Sequence, residues 1–171
     1  MPVPETMILI NTVSPTPFVA VGEQEPLVLP QRGLAEIVVP TMQGMMMQHP
    51  RSVFRIVRGP GSFTGIRIGL AVGLALRLSG YSVQGVNAFD ALRACWLRTH
   101  GRPMPDDQTM MLPFYKDHVF LTRGGEGEDA LTITNTPPAS CFQGPALPMD
   151  YHHAPAAPLT PLYGRASYVG V

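Results

Sequence analysis

A mixed β-sheet with helices layered on it is the architecture this sequence predicts, an α/β unit. Short β-rich runs divided by turn residues open the chain. From Leu34 the apolar period becomes helical, and strand then alternates with helix as far as His100. Beyond Gly101 only strand-like runs and prolines follow. Short runs between turn residues pair as antiparallel meanders, and helices interleaved with strands bury one face each on a sheet.

The elements follow in order. Met7–Asn11, Phe18–Val21 and Pro26–Leu29 read as three strands of a meander. Leu34, Ile37, Val38, Thr41, Met42 and Met45 share one helical face, and Pro40 inside that run is expected to kink the helix or end it early. Arg51–Val57 is a strand that runs through a Gly-Pro-Gly turn into a helix reaching Ser79. Tyr81–Val86 is a strand, and Ala88–His100 a helix with Phe89, Leu92 and Trp96 on its core side. Thr109–Phe114, Val119–Thr122 and Leu131–Thr134 read as strands. Residues 137–161 include seven prolines, which exclude a regular helix, so this tail is expected as extended coil, lying on the sheet or mobile. Two subdomains result: an α/β unit over 1–101, and a reduced β-rich unit with a proline-rich tail over 102–171.

Composition narrows the function. The 171 residues are 45% hydrophobic, enough for a true core, and 12 Lys and Arg balance 12 Asp and Glu. A chain that grips nucleic acid through its own phosphate contacts needs a basic surplus or stripe, and neither is visible. Cys95 and Cys141 form no CxxC pair and read as reduced thiols. No basic leader precedes an apolar stretch at the N-terminus, and Ile66–Leu78, the most apolar segment, is short and carries Arg67 and Arg77. A soluble, cytoplasmic protein is the expectation. His49, His100, His118, His152 and His153 lack companions at ligand spacing, so no metal site is expected.

The most specific stretch is Arg58-Gly59-Pro60-Gly61-Ser62-Phe63-Thr64-Gly65-Ile66-Arg67-Ile68-Gly69. Ser62 is a natural N-cap for the helix that follows, and free amides there suit an anion. The known phosphate loops fit poorly. A Walker loop needs Lys where Ile66 stands, the dinucleotide fingerprint needs tighter glycine spacing, and Ser62 is not in a G-x-S-x-G elbow. Ser62, Thr64 and Arg67 therefore stand as weak cofactor candidates beside the plainer reading of a capped tight turn. Gly65, Gly69 and Gly73 recur every four residues, each costing about 0.5–1 kcal/mol relative to alanine. A glycine face implies close approach of another element. Two readings stand: packing on the helix that begins at Leu34, or an interface with another chain. Met42 and Met45–Met47 likewise suit either core filling or an adaptable interface.

The string R-G-P-G-S-F-T-G-x-R-x-G over 58–69, followed by Gly73-Leu74-Ala75, Gly80 and Gly85-Val86, resembles the signature of the TsaB (YeaZ) family. The resemblance covers about the first 100 residues, and Pro161-Leu-Tyr-Gly-Arg165 resembles the family's closing segment. It implies the actin/sugar-kinase/Hsp70-like (RNase H-like) fold, with its first half well formed and its second half reduced. It also implies a non-catalytic subunit in the tRNA N6-threonylcarbamoyladenosine modification, which acts on the adenosine next to the anticodon. Such a subunit pairs with a TsaD-like catalytic partner, is joined by a TsaE-like ATPase, and meets tRNA only indirectly. The pairing helices map to Leu34–Met47 and Ser62–Ser79, with Leu34, Ile37, Val38, Met42, Met45, Phe63, Gly65, Ile66, Gly69, Val72 and Gly73 as interface residues; a homodimer through the same helices is a further expectation.

The chain departs from the family where D-T-S/T usually follows the first strand, carrying Asn11-Thr12-Val13 instead, and Pro113-Phe114-Tyr115 replaces an expected D-A-R. No cofactor is therefore expected in this chain alone, nor appreciable ATP turnover. The alternatives are a self-associating remnant with no modification role, and a small kinase-like or peptidase enzyme. Two further expectations bear on the structure. Removing the tail from Pro137 should harm folding less than its length suggests, and Gly69→Leu should leave the isolated chain stable while abolishing pairing.

Overall fold

β1 (Met7–Asn11) sends Ile8 and Ile10 to one side of a sheet and Leu9 to the other, all fully buried. A strand covered on both faces reads as a continuous apolar run, as Met-Ile-Leu-Ile does. In the computed structural model, which describes residues 6–113, 118–127, 130–143 and 149–163, β1 is the middle strand of five. It pairs antiparallel with β2 (Phe18–Val21), which pairs with the two-residue β3 (Leu27–Val28), shorter than the run Pro26–Leu29 suggests. On its other side it pairs parallel with β4 (Val53–Gly59), and β4 with β5 (Ser82–Asn87), giving the order β3-β2-β1-β4-β5.

Parallel neighbours need crossovers, and helices supply them. α1 (Leu34–Gln48) precedes β4 and α2 (Phe63–Leu78) joins β4 to β5. Both cover one face, where Leu34, Val38, Met42, Val72 and Leu76 meet Ile8, Ile10, Phe54, Ile56 and Val83. α3 (Ala88–His100) lies on the other, with Ala88 and Ala91 against Leu9, Val57 and Val86. Pro40 does not end α1, which runs eight residues beyond it. Its ring is exposed, as is Glu36, whose carbonyl the missing amide would have served, so the interrupted turn faces water.

A second, antiparallel sheet, β6 (Thr109–Pro113), β7 (Val119–Arg123) and β8 (Thr132–Thr134), packs Met110 and Phe120 against Phe89 and Leu92 of α3. Trp96 is buried there too, edge-on to Phe142. Tyr115 and Arg165, and the N-terminal Met1–Glu5, lie outside the described residues.

In the proline-rich tail, residues 149–163 pack against the first sheet. A 3-10 turn, Met149–His152, and the strap that follows return to the first sheet and bury Tyr151, Ala154 and Leu162 in its core. Ala157 exchanges two backbone hydrogen bonds of 2.8 Å with Gly85, covering the edge strand β5. Of the two expectations for the tail, lying on the sheet is the one that residues 149–163 meet, and their buried anchors argue against a removal that costs little. The tail's prolines forbid helix, but they leave carbonyls free, and the Arg55 and Arg58 guanidinium groups take them. Arg55 donates to the carbonyls of Tyr151, His152 and Ala154, and Arg58 to that of Thr160. Burial pulls both guanidinium pKa values down, for Arg58 partly offset by the Asp90 carboxylate.

Candidate functional site

The segment 58–69 begins as β4 ends. Gly59 sits at φ +124°, the Gly59–Pro60 peptide is cis, and Ser62 caps α2 by accepting from the Gly65 amide at 3.2 Å. The Ser62 amide donates to the Val13 carbonyl at 2.8 Å, and the Thr12 hydroxyl donates to the Gly65 carbonyl at 2.7 Å. The turn after β1 thus locks onto the start of α2. Asn11, fully buried, accepts from the Val13 and Ser14 amides and donates to the Ser14 hydroxyl, so its side chain is spent on holding that turn. A cleft of about 420 Å³ opens beside it, lined by Thr12, Ser14, Gln31, Glu36, Ser62 and Thr64 among others. Arg67 is not in it; its guanidinium lies 3.9 Å from the centre of the Phe63 ring. An acid on the rim and a turn whose hydrogen bonds close internally favour the capped-turn reading over an anion site.

The glycine face of α2 is the principal correction. Gly65, Gly69 and Gly73 are buried, and what they approach is this chain's own sheet. A Cβ on Gly65 would run into the Thr12 carbonyl. On Gly69 it would lie 2.7 Å from the Thr12 hydroxyl and 3.2 Å from Ile56, and on Gly73 2.8 Å from Leu159 of the tail. The atoms nearest these glycines come from the turn after β1, from β4 and from the tail, and none from α1. Leu34, Val38, Met42, Ile66 and Val72 point inward as well, while Ile37, Met45 and Phe63 are half-buried. The buried ones among these predicted interface residues are core, because the most apolar stripe of a helix is the one that the sheet takes first, whereas Ile37, Met45 and Phe63 keep part of their surface in water.

What remains outside is a set that shares only Met42 and Val72 with the predicted one. Between α1 and α2 runs an apolar groove of about 320 Å³, walled by Val39, Gln43 and Met46 on one side and Ala71, Ala75 and Ser79 on the other, with Met42 and Val72 also lining it. No charged residue lines it. Val39 is 50% exposed, Leu74 56%, Leu78 82% and Met47 80%, an unusual share of large apolar side chains in water for one pair of helices. The signal was in the sequence: Leu74 and Leu78 stand on the turn opposite Gly69 and Gly73. Tyr81 stiffens the α1 wall, its hydroxyl donating to the Met46 carbonyl at 3.4 Å while its ring meets Phe54 edge-on.

Neither a protein-family model nor a curated relative matches the sequence. Solved structures do. A Pseudomonas aeruginosa protein described as uncharacterized with similarity to peptidase YeaZ superposes with a TM-score of 0.50 at 19% identity, over 76% of this chain and 63% of that one. YeaZ from Pseudomonas aeruginosa superposes with a TM-score of 0.49 at 18% identity, over 76% of this chain and 64% of that one. The chain therefore shares the mixed α/β fold of the first of these and spans less than two thirds of its length. Among the described residues no helix is long and apolar enough to cross a membrane.

Proposed function

We propose that the chain is a short member of the TsaB (YeaZ) family with an actin/sugar-kinase/Hsp70-like fold. In this reading it serves in the cytoplasm as a non-catalytic partner of a TsaD-like subunit in tRNA threonylcarbamoyladenosine modification. The observation that carries the reading is the uncharged groove between α1 and α2, with Val39 exposed on its wall and Ala75 exposed opposite. Helices that otherwise satisfy their core present there a second apolar surface, which water disfavours and a partner helix fits. The signature over 58–69, and a five-stranded mixed sheet with helices on both faces, support the family and the fold. A TsaE-like ATPase joins through the complex, and tRNA is met through the partner, consistent with a net charge of zero.

A catalytic role in this chain has little to stand on. Ser62 is bonded to its own helix through the Gly65 amide, with no base bonded to it among the described residues, and Asn11 occupies the place of an acid. Pairing is tested by co-expression with the host's TsaD-like subunit and co-purification at physiological salt. A stable pair that Val39→Glu disrupts supports the reading, and its absence removes it. The same uncharged groove suits an identical copy, so light scattering of the chain alone separates the second reading, self-association, from hetero-pairing.

A further inference from the structure

The strap over 149–163 is held at its start by one buried cation. Arg55 Nη1 donates to the carbonyls of Tyr151 at 3.0 Å, His152 at 3.0 Å and Ala154 at 2.7 Å, while Nε donates to Gln84 Oε1 at 3.2 Å. All these acceptors are neutral, so Arg55 keeps its positive charge beneath the turn. Directly on that turn stands His152, whose two ring nitrogens are both shut off from solvent and lack a hydrogen-bond partner of good geometry among the described residues. Among the described residues, the groups facing it come from three elements. Arg55 of β4 and the adjacent His153 oppose a second positive charge, whereas Glu23 and the Gly22 backbone of the β2–β3 turn favour one. Burial outweighs them all and, with Arg55, holds the imidazole below its ordinary range.

The geometry points to a pH-sensitive latch: neutral His152 lets the strap close on Arg55 and β5, and protonated His152, beside the Arg55 guanidinium, releases it. The sign follows from linkage. His152 titrates near 6.5 when released and lower when closed, so the closed strap binds fewer protons. Closure is complete above the released value and is lost as pH falls through the closed one. Release is local because the strap and the sheet are tied by few bonds: the Gly85–Ala157 pair and the Leu162 amide on the Arg58 carbonyl at 3.0 Å, beside the Arg55 and Arg58 contacts. It would uncover the β5 edge and empty the seats of Leu159 on Gly73 and Leu162 on Gly59.

The test is hydrogen exchange on the full chain, corrected for intrinsic rates, at roughly pH 7.5 and 5. Protection at Gly85, Ala157 and Leu162 should fall by about tenfold or more, while Ile10 and Ile56 in the sheet centre keep theirs. The fall should vanish in His152→Gln and persist in His153→Gln. In the unmodified chain, the NMR titration midpoint of the His152 ring should lie below about 6.5 and coincide with the loss of strap protection. Constant strap protection overturns the latch, as does a fall that survives His152→Gln or disappears in His153→Gln. A His152 midpoint at or above about 6.5 overturns it too, and needs no variant to fold.

Discussion

On its inner face α2 carries Gly65, Gly69 and Gly73; on its outer face it carries Ala71, Leu74, Ala75 and Leu78. The inner residues have almost no side chain, yet they determine how closely the helix approaches β1 and β4. The outer ones are apolar, Leu74 and Leu78 large among them, and all are exposed among the described residues. Small residues mark where backbone meets backbone inside the molecule, and large apolar ones left in water mark where another molecule fits. Reading the glycines as the partner surface inverts these roles.

The comparison breaks most severely if the tail is dispensable, since Leu159 is what Gly73 makes room for. Truncation after Gln143 removes the buried Tyr151, Ala154 and Leu162 and strands the Arg55 guanidinium without its carbonyls. Burial of Tyr151 and Leu162 alone is worth about 1.5–3 kcal/mol each, so the truncated chain should keep its central sheet but melt well below the full chain, as followed by circular dichroism. A cooperative thermal transition close to the full chain's would refute this.

Gly65→Ala comes next. Its Cβ meets the Thr12 carbonyl, a backbone atom that cannot swing aside. A loss of about 3 kcal/mol in urea unfolding is expected, overriding the roughly 1 kcal/mol that alanine gains as a helix former. Gly73→Ala meets the flexible end of Leu159 at 2.8 Å and Ile56 Cγ1 at 3.1 Å, both side chains rather than backbone, and should cost about 1–2 kcal/mol. Leu159→Ala should relieve part of that cost, and a double-mutant cycle without coupling would contradict the assignment of this contact. On the outer face, Leu74→Glu should change stability by no more than about 0.5 kcal/mol, since its side chain is mostly in water. A large destabilisation would mean that the outer face is core after all.

Much of this was legible from residue order. The strands and helices through His100 follow from apolar periods and from the Gly-Pro-Gly turn, and Ser62 reads as the cap it is. Period tells which residues share a face but not what that face meets, so the glycine stripe announced close packing without saying against what. The tail was opaque for another reason. Its anchors are single cations, Arg55 and Arg58, about a hundred residues away along the chain, bonded to carbonyls that every residue possesses. No pattern of side-chain types encodes such a bond. Gly59 and Gly85 were the available hint, each standing where a tail carbonyl leaves no space for a Cβ.

The most direct test is the affinity of Ala75→Glu for the TsaD-like subunit, measured by calorimetry beside its own thermal stability. Ala75 is exposed and lines the α1–α2 groove, so a carboxylate there should cost the isolated chain no more than about 0.5 kcal/mol. In the complex it would be buried without a counter-charge, at a cost of about 2–5 kcal/mol. The account predicts an unchanged melting temperature with affinity reduced roughly thirtyfold or more. Unchanged affinity at unchanged stability would contradict it and place the docking surface elsewhere.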